Sequence, residues 1–422
     1  MAEDLGAILR RARRIRGRGH LRRLGPGLVT GASDDDPSGI GTYSQVGASM
    51  GYGLLWTAVV SLPLASAVQE TAARLGFVTG KGLAALIRIR FRRPVLYAAV
   101  LLVVGANVFN IGADLGAMAA SAQLVIPIPF AILLIGFTAT AIALEVFVTY
   151  TRYAKILRWL TASLVAYIVV LFVVDVDWAA VLRGTFLPSF DLSRAGLAAL
   201  IAIFGTTISP YLFFWQASEE VEENDTSGPP HITKQHIRAV RIDVIAGMSS
   251  AVIVMFAIMV SSAATLGAHG VTTVQTADQA ARALEPIAGS VAGLLFALGI
   301  VGTGSLAVPV LAGSTAYAIS ESVGWDEGLS QKLRKAPGFY GVIAGSMVLG
   351  LVLNFVGLDP IRALYFSAIL NGLAAPPLIL LMLILSNDKK LLGRHCGRPL
   401  SNVLLAIAFL VMTALPIAYL LS

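Results

Sequence analysis

Charge is what this sequence has least of. Asp, Glu, Lys and Arg make up 13% of its 422 residues, about half the share usual in a soluble domain, while 56% are hydrophobic and mean hydropathy is +0.79. A soluble protein of this length is excluded, and the chain reads as a polytopic membrane protein in contact with a lipid bilayer. Cysteine is almost missing: Cys396 alone excludes a disulfide framework and a cysteine-based metal cage. All five histidines, His20, His231, His236, His269 and His395, fall in loops or in the N-terminal arm, so a histidine proton relay within the membrane is excluded too. No nucleophile paired with a base, no phosphate-binding loop and no cofactor motif is present, so neither enzymatic activity nor a cofactor is expected. The net charge of +7 does not point to nucleic acid, because the basic residues lie in short loops between apolar runs, where they set orientation.

Windows of about 20 apolar residues place spans at 25–50, 53–74, 95–119, 128–148, 153–174, 195–218, 239–264, 287–320, 338–357, 361–385 and 401–421, eleven in all. Every second loop is basic: Lys81, Arg88, Arg90, Arg92 and Arg93; Arg152, Lys155 and Arg158; Lys332, Arg334 and Lys335; Lys389, Lys390, Arg394 and Arg398. That alternation predicts a bacterial-type cytoplasmic membrane protein with its N-terminus inside and its C-terminus outside. Residues 1–24 hold Arg10, Arg11, Arg13, Arg14, Arg16, Arg18, Arg22 and Arg23 without a cleavage site of the A-x-A kind. They read as a basic cytoplasmic arm, not a signal peptide.

The anomaly is the stretch Gly25 to Gly53, where Asp34, Asp35 and Asp36 stand in succession inside a membrane-length segment. Each central carboxylate costs about 3 kcal/mol on insertion scales, and intramembrane charge marks function by default. Pro37, with Gly31, Gly39 and Gly41 around it, predicts a broken helix, and such a break leaves free carbonyls and amides that transporters use at mid-membrane. Asp36-Pro37 is also a good helix start, with the carboxylate as N-cap. Capping accounts for one aspartate and leaves two.

Five spans later, GTTISPYLFFWQAS, Gly205 to Ser218, repeats the pattern with Pro210 behind Thr206, Thr207 and Ser209. Two interrupted spans at matching places predict an all-α fold of two inverted five-helix repeats, 25–174 and 195–385, with 401–421 as an additional span. A simple proline kink is the competing explanation, since prolines are common in membrane helices. Few other charges lie in the spans. Glu70 and Arg74 are four apart on one helix face and read as a pair. Asp114 in the third span has no local partner, and Glu145 sits near the end of the fourth. The run Glu219, Glu220, Glu222 and Glu223 closes the sixth span and asks for basic partners against its helix dipole, with Arg238 and Arg241 as candidates. Gly302 to Ser314 reads as close helix packing.

At these residues the chain resembles the Nramp family of proton-coupled divalent metal transporters over most of its length. The family's opening G-P-G and first-span D-P-G-N are similar to Gly25-Pro26-Gly27 and Asp36-Pro37-Ser38-Gly39. GYGLLW (Gly51 to Trp56), RLGFVTGKGLA (Arg74 to Ala84), Asp114-Leu115 and SNDKKLLG (Ser386 to Gly393) add to the resemblance. It implies the leucine-transporter fold, with substrate held between the breaks of the first and sixth spans. Departures accompany it. Gly39 stands where the family has asparagine, Ser209-Pro210-Tyr211 where it has M-P-H, Gln216 for its second histidine, and Asp114-Leu115-Gly116-Ala117 for D-L-A-E; the ninth span lacks the arginine pair. Soft sulfur favours transition metals, so the pattern is similar to divergent Nramp-related branches, magnesium transporters among them.

Three functions stay open on the residues. A hard divalent cation would be held by Asp36 as metal ligand, with backbone carbonyls near Ser33 and Thr206 and with Gly39, Thr206, Ser209 and Tyr211 lining the site, because magnesium needs only one or two carboxylates. An organic amine would set its charge against Asp36 and the aromatic face of Tyr211, Phe213 or Phe214. A transport-silent sensor is the third. Asp114, Asp35 and Asp34 are the coupling candidates, and weak or absent proton coupling is expected.

Overall fold

A computed structural model describes residues 26–148, 164–225, 234–357 and 359–422. The basic arm at 1–24 and the first half of the expected fifth span, 153–163, lie outside these residues. No strand occurs among the described residues. Leaving out helices shorter than six residues, the elements are α1 (Pro26–Asp34), α2 (Pro37–Met50), α3 (Trp56–Thr79), α4 (Leu83–Arg90), α5 (Arg93–Ala122), α6 (Phe130–Phe147), α7 (Val165–Val170), α8 (Trp178–Phe186), α9 (Arg194–Thr207), α10 (Pro210–Asp225), α11 (Lys234–Thr265), α12 (Ala292–Val323), α13 (Pro337–Leu353), α14 (Pro360–Ser386) and α15 (Pro399–Leu421). Proline opens α2, α10, α13, α14 and α15, the position where its missing N–H costs nothing and its fixed φ suits a helix. Ser193 caps α9 through Gly196 N, and Asp359 caps α14 through Ile361 N and Arg362 N.

Among the described residues, eight helical segments are long and apolar enough to cross a membrane: 93–122, 130–147, 194–223, 235–269, 277–323, 337–356, 360–386 and 399–421. The broken pair α1–α2, and α3 with its Glu70 and Arg74, complete the buried centre. Burial separates inner from outer helices. The most apolar stretch of 194–223 is 94% buried inside the protein, that of α15 only 17%, and the outward faces of α6, α13 and α15 carry apolar residues such as Ile132, Leu349 and Leu410. These are surfaces for lipid tails.

Both halves of the first broken helix pack on α11, α9 packs on α14, α10 on α3 and α12, and α5 on α12 and α14. Small residues let backbones meet. A Cβ on Gly31 would lie 2.3 Å from the Gly247 carbonyl, and one on Gly205 would lie 2.0 Å from the Ala368 carbonyl. At the ends of α3, α11 and α15, Glu70 does more than pair with Arg74 at 3.5 Å: it also takes Arg241 at 2.8 Å and the Ser401 hydroxyl at 3.2 Å. Arg241, a candidate partner for the glutamates that end α10, is thus bound to Glu70. Glu222 is satisfied otherwise, by the Tyr317 hydroxyl and by the amides of Leu329 (2.6 Å) and Ser330 (3.0 Å). Outside the spans, burial, reinforced by Glu321 and Glu222, pushes the Glu327 carboxyl up to about 9.

Candidate substrate site

The two breaks fall at the predicted prolines. The first helix stops at Asp34 and restarts at Pro37; the second stops at Thr207 and restarts at Pro210. Asp36 has extended backbone (φ −68°, ψ 169°) and caps α2, its Oδ1 accepting from Gly39 N at 2.7 Å and from Ser38 Oγ at 2.7 Å. In the second break, Ser209 Oγ donates to the carbonyls of Gly205 (2.8 Å) and Thr206 (2.7 Å), two of the acceptors that an interrupted helix leaves over.

Side chains stitch one break to the other. Tyr211 OH donates to the Ser33 carbonyl at 2.8 Å, Ser38 Oγ and Thr206 Oγ1 are 3.4 Å apart, and Tyr43 OH and Thr207 Oγ1 3.2 Å apart. Ser314 of α12 donates to the Tyr211 carbonyl at 2.8 Å. A third element joins from α5. Asn110 Nδ2 donates to Asp36 Oδ2 at 2.9 Å and reaches Asp114 Oδ2 at 3.5 Å. Asp34, Asp36, Asp114 and Asn110 are each no more than 1% exposed, so the site is closed to solvent. Five side-chain oxygens, on Ser33, Asp34, Asp35, Asn110 and Asp114, have no hydrogen-bond partner within the protein. A buried unmatched oxygen costs about 1–3 kcal/mol, and five together are acceptors in search of positive charge.

The sequence pattern of one family, Nramp (natural resistance-associated macrophage protein-like), matches residues 27–422. This chain belongs to the Nramp family. The divalent metal cation transporter MntH of Caldanaerobacter subterraneus subsp. tengcongensis is 27% identical over 91% of this chain and 89% of its own length. The protein of the same name from Klebsiella pneumoniae strain 342 is 29% identical over the same shares. Among solved structures, the Eremococcus coleocola manganese transporter has a TM-score of 0.74 at 19% identity, covering 94% of this chain and 87% of that one. MhsT in complex with L-phenylalanine has a TM-score of 0.64 at 16% identity, covering 94% and 98%. Mhp1, a nucleobase-cation-symport-1 family transporter, has one of 0.59 at 15%, covering 95% and 91%. At these identities the structures establish the fold, which is that of the leucine transporter.

Within this Nramp protein the expected residues do gather. Asp36, Ser33, Gly39, Thr206, Ser209 and Tyr211 all border the paired breaks, although the Ser33 and Thr206 carbonyls already accept one hydrogen bond each and keep one lone pair for a ligand. Asp114 joins Asp36 through Asn110. Gln216 is tied to Thr30 and donates to Glu220 at 3.0 Å, so it fastens α10 to α1. Two features went unread in the sequence. Asn107, Asn110 and Asp114 recur at helical spacing in an apolar span, a polar stripe visible as periodicity once amides are counted with charges. Thioethers also return to the rim from elsewhere: Met255 accepts from Thr207 Oγ1 at 3.8 Å, and a Cβ on Gly304 would lie 2.5 Å from Met118 Sδ and 3.1 Å from Pro37 Cγ. Among the described residues no trio of His, Cys, Asp or Glu has the arrangement of a metal cage.

Proposed function

We propose that this Nramp protein carries a hard divalent cation of the magnesium or manganese kind across a cytoplasmic membrane, with Asp36 as the principal ligand at the paired breaks. The observation that carries the reading is the approach of two buried carboxylates, Asp36 at the first break and Asp114 on α5, to the one side-chain amide of Asn110. Two negative charges buried together call for a divalent partner, and an all-oxygen set suits a cation that keeps part of its hydration. The relatives named as divalent metal cation transporters support the same substrate class. The organic ligand of MhsT gives no comparable support, because that likeness is one of fold. The chain acts as a transporter and not as an enzyme. Eleven spans, built as repeats 25–174 and 195–385 with 401–421 added and with the N-terminus inside, fit the alternation of basic loops. Transport runs as uniport or with weak proton coupling, with Asp114, Asp35 and Asp34 as the carboxylates through which any coupling passes.

The test is uptake by proteoliposomes. Purified protein should move Mg²⁺ and Mn²⁺ down an imposed potential while leaving K⁺ outside, and uptake of amines or amino acids with none of either metal would overturn the assignment.

A further inference from the structure

We propose that Asn110 is itself a ligand of the transported cation, presenting its Oδ1 between the Asp36 and Asp114 carboxylates. This rests on the divalent-cation reading above and adds a residue to that site.

Asn110 lies one helical turn before Asp114 on α5, which places both side chains on one face, and its Nδ2 touches a carboxylate oxygen of each aspartate. It stands where the two negative charges converge. Gly39, across the same space, brings only its backbone amide, and a Cβ there would meet the Asp34 carbonyl and the Tyr43 ring at 3.3 Å and Thr206 Oγ1 at 3.4 Å. Ser38 Oγ donates to Asp36 alone, so the uncharged side chain that touches both carboxylates comes from α5.

Asn110 is fully buried, and its Oδ1, like Asp114 Oδ1, has no hydrogen-bond partner within the protein. Its amide NH2 has two N–H donors for the two anions it touches, while its carbonyl, a good acceptor, bonds nothing. A half-turn of the terminal amide exchanges donor for acceptor at little torsional cost, since that torsion is broad and two-fold. With a cation between the carboxylates, the turned amide offers oxygen where it now offers N–H. Two carboxylates and one amide oxygen neutralise a dication and leave the remaining coordination positions to water and backbone carbonyls. Because the third ligand is an amide, no trio of acids, histidines or cysteines among the described residues marks the place.

The alternative role is that of a donor that merely spaces the two aspartates, and the two roles part on substitution. Asn110→Asp keeps an oxygen and loses the N–H; Asn110→Leu loses both. Isothermal titration of the purified full-length protein with MgCl₂ and with MnCl₂ reads the difference. Asn110→Leu should weaken binding about 10- to 100-fold, the range seen when groups supporting a metal site are removed, while Asn110→Asp stays within about threefold of wild type. Asn107→Leu, one turn away and bonded to Thr315 and the Leu311 carbonyl, should leave the affinity unchanged. Asn110→Asp binding as poorly as Asn110→Leu, or Asn110→Leu binding like wild type, overturns the ligand role and leaves cation transport standing. If Asn110→Leu does not fold, the comparison of Asn110→Asp with wild type decides alone. Wild-type protein that binds neither metal overturns both readings together.

Discussion

Asp36 holds two positions at once. It caps α2, and it faces Asn110 and Asp114 through its other oxygen. A cap contributes about 1 kcal/mol, whereas a buried carboxylate without compensation costs several, so capping alone does not balance the aspartate's presence. Asparagine caps as well as aspartate. Asp36→Asn should therefore fold with nearly the wild-type melting temperature and yet lose Mg²⁺ and Mn²⁺ binding by roughly two orders of magnitude, the ~3 kcal/mol typical of removing one buried charged partner; calorimetry showing unchanged affinity would remove Asp36 from the site. Selectivity also rests on single residues. Ser209 spends its hydroxyl on the last turn of α9, worth about 1 kcal/mol, so a methionine there adds a thioether at small cost, and Gly39 accepts an asparagine if the Asp34 carbonyl and the Tyr43 ring give by a few tenths of an ångström. Gly39→Asn with Ser209→Met should raise Mn²⁺ and Cd²⁺ affinity several-fold relative to Mg²⁺, and equal ratios in competition uptake would count against that site geometry. The charged residues here were readable because a carboxylate in a membrane is an anomaly by itself. Asn110 was not, since a neutral amide costs too little to stand out and its meaning comes only from what α2 brings beside it.

Helix breaks were readable for a related reason. Proline interrupts a helix wherever it falls inside one, and the small polar residues around Pro37 and Pro210 said that the interruptions were used. What fastens the half-helix α1 was not readable. Gly27 N donates to Asp243 Oδ2 at 2.7 Å, Thr30 is bonded to Gln216, and the backbone at Gly31 lies directly on Gly247. A glycine's role there depends on a partner more than two hundred residues away. A Cβ on Gly247 would stand 2.1 Å from the Gly27 carbonyl, so Gly247→Leu should push α1 off α11 and unseal the site from the side of the basic loops. Cys396 is the sole cysteine, so a Cys396→Ser, Ser33→Cys background reports this cleanly: thiol labelling at residue 33 should speed up at least about tenfold in Gly247→Leu and less in Gly247→Ala, a graded response that follows from overpacking. Equal rates in all three would mean that α1 is held by its polar bonds alone. The loop after α12 adds a pH effect. Glu327 has a raised folded pKa of about 9, so its contribution to stability is full below the ordinary carboxyl range near 4.3 and declines as pH rises towards 9. Glu327→Gln should remove that decline, so that the variant melts higher than wild type at pH 8 and no higher at pH 4.

At the scale of the whole molecule, repetition made the architecture readable: two interrupted spans five spans apart, with basic loops alternating, predict two inverted five-helix repeats, and the resemblance to the Nramp family implies the leucine-transporter fold. The energetics of transport also belong to this scale, because they depend on total charge moved and not on any single bond. A dication entering down an inside-negative potential of 100 mV gains roughly 4.6 kcal/mol, from about 2.3 kcal/mol per charge, equivalent to more than a thousandfold accumulation. Protons are not needed for that. The spans also lack the usual means of carrying them: Tyr211 is engaged with the Ser33 carbonyl, Gln216 is a neutral amide tied to Thr30 and Glu220, and Ala117 is apolar, which leaves Asp114 and the Asp34 to Asp36 cluster. A carboxylate that gives up its proton to admit a cation would link the two fluxes, and Asp114, bridged to Asp36 by Asn110, is the place where this would happen. Proteoliposomes loaded with a pH-sensitive dye separate the outcomes. With an imposed potential, Mg²⁺ or Mn²⁺ uptake should proceed with little or no substrate-dependent acidification, and a tenfold proton gradient should change the rate by less than about twofold. Acidification in step with metal entry that disappears in Asp114→Asn would instead make Asp114 a coupling carboxylate and overturn uniport.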